Sequence, residues 1–237
     1  MTARVLPPTP ESLARAADIL RIGGLVAMPT ETVYGLACDG TNADAVACLY
    51  EAKGRPSFNP LIAHVASQAM AEREAVFSPL ARKTAEHFWP GPLTLVLTVA
   101  KTGKVCDLTR AGLDTIALRR PAHPVAQALL DTFNDPLVAP SANRSGHVSP
   151  TTAEHVRTDL ADRIGMILDG GPCARGLEST ILSFVGDAPV LLRAGAIATA
   201  DLEAFLGHAL ARLDTNAGIN APGQLKSHYA PRASLRL

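Results

Sequence analysis

The sequence predicts an α/β fold built on a twisted, mixed sheet, and three observations support this. Short apolar runs alternate with segments of helical period along the 237 residues. Near the end, two apolar runs follow each other directly across residues 186–189, which favours a mixed sheet over a purely parallel one. The composition, 47% hydrophobic and 19% charged, is that of a chain that buries a core and not of a disordered or fibrous one.

Each predicted element follows from its local pattern. Helices are predicted where apolar residues recur at helical spacing, often after a capping residue such as Asn42, at 11–21, 43–52, 79–88, 124–133 and 199–206. Gly23 and Gly24 end the first helix. Strands are predicted at the short apolar runs 25–28, 61–65, 93–99, 115–118, 137–139, 164–168, 180–185 and 190–192.

The alternation of helices and strands fades near residue 210. We therefore predict one folded domain over 1–210 and a linker over 211–237. Residues 214–224 are rich in Gly, Asn and Pro, which is typical of a linker. The polar and aromatic stretch LKSHYAPRASLRL follows. We expect this segment to fold over the body as a lid when ligand is bound.

Charge and composition exclude several classes of protein. Lys plus Arg and Asp plus Glu are both 22, so no overall basic coat is available for nucleic acid, although a local basic cleft is. The central apolar stretch 89–100 contains two prolines and is shorter than the ~18 residues of a membrane span. With no apolar run at the start to serve as a signal peptide, we expect a cytoplasmic protein without membrane contact. The cysteines form no C-x-x-C pair, which disfavours zinc and predicts small buried hydrophobes at Cys38, Cys48, Cys106 and Cys173.

Two loops carry groups that suit ligand binding. PTETVYG at 29–35 places hydroxyls and a carboxylate after a predicted strand, where α/β folds hold ligands, although a capped turn explains it equally well. KGRPSFNP at 53–60 sets two cations around a glycine, followed by two prolines, which makes a rigid anion cradle. Cations at a helix C-terminus also complement the helix dipole, so a purely structural role stays open there.

Two further segments point to a cleft. Strand alternation sends Arg119 and Arg120 to opposite faces, so that one can enter a cleft while the other is solvated. The loop 139–151 is dense in hydroxyl and amide donors and is predicted to bind ligand. Ser141 lacks a neighbouring base and the G-x-S-x-G elbow, which disfavours a serine hydrolase. The Walker and G-x-G-x-x-G loops are missing from the sequence, so a nucleotide would be held by other means.

Four motifs together resemble one family. These are PTETVYGL at 29–36, K-x-R at 53–55 with NPL at 59–61, S-x-N at 141–143 with SG and SPT after it, and GLESTI at 176–181. In this order and spacing they resemble the threonylcarbamoyl-AMP synthase family, the YrdC-domain proteins, over about residues 10–206. The resemblance implies a twisted open sheet with a concave basic cleft. It implies a nucleotidyltransferase that makes threonylcarbamoyl-adenylate and pyrophosphate from L-threonine, bicarbonate or CO2, and ATP, for threonylcarbamoyladenosine in tRNA.

The resemblance also implies site residues. Those expected to hold L-threonine are Thr32, His64, Arg119, Ala139 and Ser179. Those expected to contact ATP are Lys53, Arg55, Asn59, Thr115, Ser141, Asn143, Ser149, Arg193 and Tyr229. Of these, Lys53 and Arg55 are expected to neutralise charge together with Mg2+ that arrives with ATP, and Ser141 and Asn143 to donate hydrogen bonds during catalysis. A resident metal site is not expected.

Partners and rival functions follow from the same comparison of motifs. A separate complex is expected to transfer the threonylcarbamoyl group, and direct binding of tRNA or other RNA is left open. KSHYAP at 226–231 resembles the linker of the longer, two-domain branch of the family, whose second domain is expected to be absent from this chain. The alternatives are an RNA-binding module, which the zero net charge and few aromatics disfavour, a carbamoyl-adenylate-dependent carbamoyl transferase, and a non-catalytic paralogue.

Overall fold

Eleven strands form one mixed sheet in the computed structural model, which describes residues 3–212. The spatial order is β1-β8-β2-β3-β7-β4-β6-β5-β9-β10-β11. The strands are β1 Arg4–Leu6, β2 Val26–Met28, β3 Gly35–Asp39, β4 Ile62–His64, β5 Leu93–Thr98, β6 Thr115–Arg119, β7 Leu137–Val138, β8 Met166–Leu168, β9 Thr180–Ser183, β10 Val190–Arg193 and β11 Ala211–Arg212. The sheet contains both parallel pairs, such as β4 with β6, and antiparallel pairs, such as β9 with β10. The predicted α/β class and mixed sheet are therefore confirmed.

Seven α-helices and a short 3-10 helix connect the described strands. They are α1 Pro10–Arg21, α2 Ala43–Lys53, α3 Gln68–Glu74, α4 Pro79–Phe88, α5 Pro124–Phe133, α6 Ala153–Leu160 and α7 Thr199–Leu206, with the 3-10 helix at Asp107–Arg110. Polar side chains cap most N-termini. The Asn42 side chain, for example, accepts hydrogen bonds from the backbone N–H groups of Asp44 and Ala45 and so starts α2. Prolines at the first turns of α1, α4 and α5 are pre-organised for helical φ.

Strand alternation divides the buried residues into two clusters on opposite faces of the sheet. The large cluster contains Ala63 of β4 and Leu118 of β6, together with the apolar residues of every α-helix. The small cluster contains strand residues only, namely Ile62, Val96, Ala117, Ile181 and Leu192. Because neighbours along a strand point to opposite faces, the helices cover one face and leave the other as a shallow apolar floor.

The predicted boundaries agree closely with the structure for the strongly patterned elements. The helices predicted at 79–88, 124–133 and 199–206 coincide with α4, α5 and α7. Six elements were not predicted: β1, β3, β11, α3, α6 and the 3-10 helix. The first strand lies at the sheet edge with two exposed residues, and β3 begins with glycine and ends with aspartate, so neither shows an apolar run. Helix α3 has only seven residues, too few for a clear period, and in α6 the three buried residues Ala153, Val156 and Leu160 are separated by charged and polar residues.

Three further predictions concern the cysteines, the membrane and the C-terminal segment. Burial of all four thiols is wrong, because Cys48 is exposed on α2, although Cys38 is buried. None of the helices within residues 3–212 has the length and apolar character of a membrane span. The first two residues of the predicted linker, Ala211 and Arg212, form β11, and the rest of it, with Tyr229, lies outside the described residues, so the division at 210 and the lid stay predictions.

The close approach of Gly195 to the start of β9 yields a first prediction. A Cβ atom at Gly195 would lie 2.4 Å from the carbonyl oxygen of Glu178 and 2.5 Å from the backbone of Ser179 and Thr180. Gly195→Ala should therefore lower the free energy of unfolding by about 2 kcal/mol or more, since backbone cannot move aside cheaply. Urea unfolding followed by circular dichroism measures this.

The matched control is Gly165→Ala, whose Cβ would make much looser contacts, with Ile19 Cγ2 at 3.3 Å and the Leu25 carbonyl oxygen at 3.4 Å. We expect a loss below about 1 kcal/mol for this variant. Equal losses for the two variants would contradict the role given to the Gly195 backbone contact.

Candidate active site

A cavity opens on the face of the sheet that the helices leave uncovered. It is lined by Thr32, Val33, Arg55, Ile62, His64, Arg119, Ala139, Pro140, Ser141, Glu178, Ser179 and Arg193. Three arginines, four hydroxyl or imidazole groups and a small apolar floor thus face one space. Such a lining suits a ligand that carries more than one anionic group and a short apolar part.

Strand register places two of the buried polar residues side by side. In the parallel pair of β4 and β6, His64 is the direct partner of Arg119, and both lie on the same face as Ile62 and Ala117. His64 is 2% exposed and Arg119 4% exposed. Arg120, the next residue, does not line the cavity. Arg119 enters the cavity as alternation predicts, whereas Arg120 is half-buried with its Nε enclosed and is not simply solvated.

Arg119 is held by a buried ion pair behind the cavity. Its Nη2 donates to Glu31 Oε1 at 2.7 Å, and its Nε donates to the Gly91 carbonyl at 3.4 Å. Glu31 Oε2 also accepts a hydrogen bond from the Ala122 N–H at 3.0 Å, so this carboxylate ties the loop after β2 to the end of β6. Pairing offsets the cost of burying the guanidinium, and the remaining N–H donors of its fork suit a carboxylate in the cavity.

His64 is a neutral acceptor in the floor of the cavity. Its Nδ1 lies 3.3 Å from the Ile62 carbonyl, which can only accept, so the proton is on Nδ1 and Nε2 is left as an acceptor. Burial, and then the positive charge of Arg119, lower the pKa of His64 to about 3. The imidazole is therefore uncharged at physiological pH and offers a lone pair to a hydroxyl or amine.

Arg193 joins three segments on the opposite wall. Its Nη1 donates to Glu178 Oε2 at 2.6 Å, and its Nη2 donates to the carbonyl and hydroxyl of Ser179 at 2.9 and 3.0 Å. The Ser149 hydroxyl donates to Glu178 Oε1 at 2.8 Å. The Ser179 hydroxyl also lies 2.8 Å from that of Thr94. This network fixes the start of β9 and the end of β10 at the cavity rim.

Arg55 enters the cavity from the end of α2. The left-handed Gly54 caps that helix, with φ of 59°, and turns the chain toward the cavity. The Arg55 guanidinium donates to the carbonyls of Asn59 and Pro60 at 3.3 and 2.9 Å. Burial lowers its pKa to about 10, so it still carries its charge at neutral pH. The K-x-R-P turn is thus stiffened by its own side chain.

The loops bearing Thr32 and Ser141 meet through their backbones. Gly35 forms an isolated antiparallel bridge with Ser141, and the Leu36 N–H donates to the Pro140 carbonyl at 2.7 Å. The Thr32 hydroxyl lies 2.8 Å from that of Thr30. A side chain at position 35 would crowd Ala139, because its Cβ would lie 3.1 Å from the Ala139 Cβ. Glycine there lets the two loops approach closely.

The cavity brings together eight of the predicted site residues: Thr32, Arg55, His64, Arg119, Ala139, Ser141, Ser179 and Arg193. Five others do not line it: Lys53, Asn59, Thr115, Asn143 and Ser149. Asn143 and Ser149 instead line an adjoining pocket with His147 and His155. The Asn59 side chain is buried and Thr115 is half-buried at the start of β6. The ligands assigned to all of these residues stay predictions.

Sequence reasoning gave no role to four lining residues: Val33, Ile62, Pro140 and Glu178. Three are apolar and carried no chemical signal. Glu178 lies inside the quoted GLESTI motif, directly before the predicted site residue Ser179, and this adjacency was the available clue. Within the described part of the chain, no group of three or more His, Cys, Asp or Glu side chains is placed to hold a metal ion.

An open mixed sheet with an arginine- and hydroxyl-lined cavity on its exposed face defines a class of α/β ligand-binding domain, and comparisons place the chain within it. Residues 18–195 match the profile of the Sua5/YciO/YrdC family, whose description is telomere recombination. The chain belongs to this family.

Named relatives are similar over nearly the whole chain. Threonylcarbamoyl-AMP synthase of Bacillus subtilis is 48% identical over 229 residues, covering 95% of this chain and 66% of the relative. The Pyrococcus abyssi protein of the same name is 44% identical, covering 93% and 66%. The crystal structure of P. abyssi Sua5 complexed with L-threonine matches with a TM-score of 0.91 at 41% identity, covering 98% of this chain and 69% of that one. The chain therefore spans just under two thirds of the length of these curated relatives.

The depressed pKa of His64 predicts acid sensitivity. Unfolded, this histidine takes up a proton below about pH 6.5, whereas folded it does so only near pH 3. The contribution to stability is thus present above pH 6.5 and is lost as the pH falls toward 3. Between pH 7 and pH 5, His64→Gln should lose about 2 kcal/mol less unfolding free energy than wild type.

Urea titrations at the two pH values measure this difference. The control is His208→Gln, since His208 is exposed beyond α7 and should leave the pH dependence as in wild type. An unchanged pH dependence in His64→Gln would show that His64 titrates normally in the folded protein.

Proposed function

We propose that this chain is an L-threonylcarbamoyladenylate synthase, which converts L-threonine, bicarbonate or CO2, and ATP into threonylcarbamoyl-AMP and pyrophosphate. The observation that carries the proposal is the convergence of Arg55, Arg119 and Arg193 with neutral donors on one cavity. The names of the relatives and the L-threonine complex of the P. abyssi protein support it.

The inner end of the cavity suits L-threonine. Arg119, oriented by Glu31, is placed to hold the amino-acid carboxylate through a bidentate pair. Thr32 and Ser179 offer hydroxyls, and neutral His64 offers an acceptor for the threonine hydroxyl. Val33, Ile62 and Ala139 supply the apolar wall that a methyl group needs.

The outer end suits the phosphates of ATP. Arg55 and Arg193 bring positive charge to the cavity rim, and Ser141 brings a neutral donor. Glu178 neutralises part of that charge through its pair with Arg193. Binding a triphosphate there would exchange contacts to a carboxylate for contacts to phosphate oxygens, which arginine forks match geometrically.

The chemistry needs alignment and charge neutralisation more than a strong base. The neutral threonine amine bonds to the carbon of CO2 as one C–O π bond opens, and one N–H proton passes to water, which gives an anionic carbamate. A carbamate oxygen then bonds to the α-phosphorus of ATP while the bond from that phosphorus to the pyrophosphate oxygen breaks. Both reactants are anions, so the arginines lower the barrier by holding them in line and offsetting their repulsion.

Mg2+ is proposed to arrive with ATP. Magnesium is ordinarily held by substrate phosphates with one or two protein carboxylates, and Glu178 is a carboxylate of the cavity wall that fits this mode. When bound, the ion would supply further positive charge to the phosphates. Transfer of the product to tRNA by a separate complex, direct RNA binding and a cytoplasmic location also stay proposals.

Product analysis tests the function. The protein is incubated with ATP, radiolabelled bicarbonate and one amino acid at a time, and the adenylates are separated by chromatography. We expect labelled product with threonine, modestly less with serine, and very little with valine, because a pocket that binds a hydroxyl rejects an analogue without one. Valine used as readily as threonine would refute the pocket. Labelled adenylate formed from ATP and a radiolabelled carbamoyl donor such as carbamoyl phosphate, with no amino acid present, would favour the carbamoyl transferase.

Arg55→Ala tests the phosphate end. Removing a half-buried, hydrogen-bonded cation from the ATP site costs roughly 2–5 kcal/mol, so adenylate formation should fall at least about 30-fold while the protein stays folded. The control is Arg15→Ala, which truncates an exposed arginine of α1 and should leave turnover unchanged. A folded Arg55→Ala protein with near-normal turnover would remove Arg55 from the site.

A further inference from the structure

Lys53 has a different place from Arg55, although only two residues separate them. It is the last residue of α2 and is 3% exposed, and it does not line the cavity. We infer that Lys53 is a positioning residue that holds the loop 141–145 in place from behind, and does not contact the nucleotide. This inference rests on the proposed function, since it assigns how the phosphate end of that site is built.

Both the side chain and the main chain of Lys53 form hydrogen bonds with the loop 141–145. Its ammonium donates to the Ser141 carbonyl at 2.5 Å and to the Asn143 carbonyl. Its own carbonyl accepts a hydrogen bond from the Ser145 N–H at 2.8 Å. These three bonds fasten the first, third and fifth residues of the loop to the end of α2.

Other hydrogen bonds hold the loop through the N–H groups of Ala142 and Arg144 and through the Asn143 side chain. The Ala142 N–H donates to the Tyr34 carbonyl at 2.8 Å, and the Arg144 N–H donates to Asp159 at 2.7 Å. The Asn143 amide donates to the carbonyls of Arg144 and His147. Among the described residues, the Asn143 carbonyl accepts a hydrogen bond from Lys53 alone, whereas the Ser141 carbonyl accepts one from Lys53 and one from the Asn143 N–H at 3.0 Å. Without Lys53, the buried Asn143 carbonyl loses its partner and the Ser141 carbonyl keeps only the bond from Asn143, so the loop is held less firmly.

The charge state of Lys53 favours a role as a hydrogen-bond donor over a role as a fixed positive charge. Burial, and then Arg55, lower the pKa of Lys53 to about 7, while the Glu178 and Asp159 carboxylates act in the opposite direction. A neutral amine still has two N–H groups. Lys53 can therefore satisfy both carbonyls in either protonation state, so its role does not depend on presenting a cation to a phosphate.

Backbone amide hydrogen exchange without nucleotide tests the inference directly. In Lys53→Met, which keeps the length but not the donors, the N–H groups of Ala142, Asn143 and Ser145 should exchange at least tenfold faster than in wild type. Amides of β4 and β6 should be unchanged. The control is Lys101→Met, which alters an exposed lysine of a turn and should leave the loop unaffected.

Kinetics supply the second readout. We expect the ATP KM of Lys53→Met to rise at least tenfold, with the L-threonine KM unchanged. A raised ATP KM with unaltered loop exchange would overturn the inference, because Lys53 would then contact ATP itself. If the wild-type protein makes no adenylate, the proposed function fails, whereas the exchange result still decides whether Lys53 fastens the loop.

A crystal structure of the wild-type protein with a non-hydrolysable ATP analogue covers the case in which Lys53→Met does not fold. The Lys53 ammonium is expected to stay on the Ser141 and Asn143 carbonyls. Finding Nζ within hydrogen-bond distance of a phosphate oxygen instead would refute the positioning role.

Discussion

Parallel pairing of β4 with β6 is the constraint on which the site depends. It sets His64 beside Arg119 and turns both away from the helix-covered core. A shift of one residue along either strand would carry its polar side chain into the main cluster and bring an apolar neighbour, Ala63 or Leu118, to the cavity. The register that completes the hydrophobic core is therefore the same one that assembles the floor of the site.

Around that floor, each buried cation is matched before any ligand arrives. Arg119 pairs with Glu31, Arg193 pairs with Glu178, and Lys53 is held by main-chain carbonyls. The two ion pairs offset the desolvation of both guanidinium groups, and the hydrogen bonds keep all three side chains in defined directions. Pre-organisation of this kind suits a reaction between two anions, because the donors need not rearrange when charge develops.

Much of this arrangement was readable from the sequence, because it depends on local rules. Helix α5 begins at a proline, and α2 begins at an asparagine whose side chain caps it; strand alternation alone separates Arg119 from Arg120. What could not be read depends on three-dimensional contacts. The spacing K-x-R cannot show that a left-handed glycine sends Lys53 and Arg55 to different sides of a loop. The pairing of Glu31 with Arg119 joins residues 88 positions apart, which no local pattern reveals.

The sheet separates the two hydrophobic clusters by the thickness of a single strand. Ile62 belongs to the cavity floor, and its neighbour Ala63 belongs to the helix-packed core. Within residues 3–212, only the backbone of the sheet lies between the two clusters. A substitution on the helix side of the sheet that shifts a strand therefore also shifts the cavity residues on the same strand. Temperature-sensitive alleles of this protein should map to the helix side of β4 and β6 as readily as to the cavity itself.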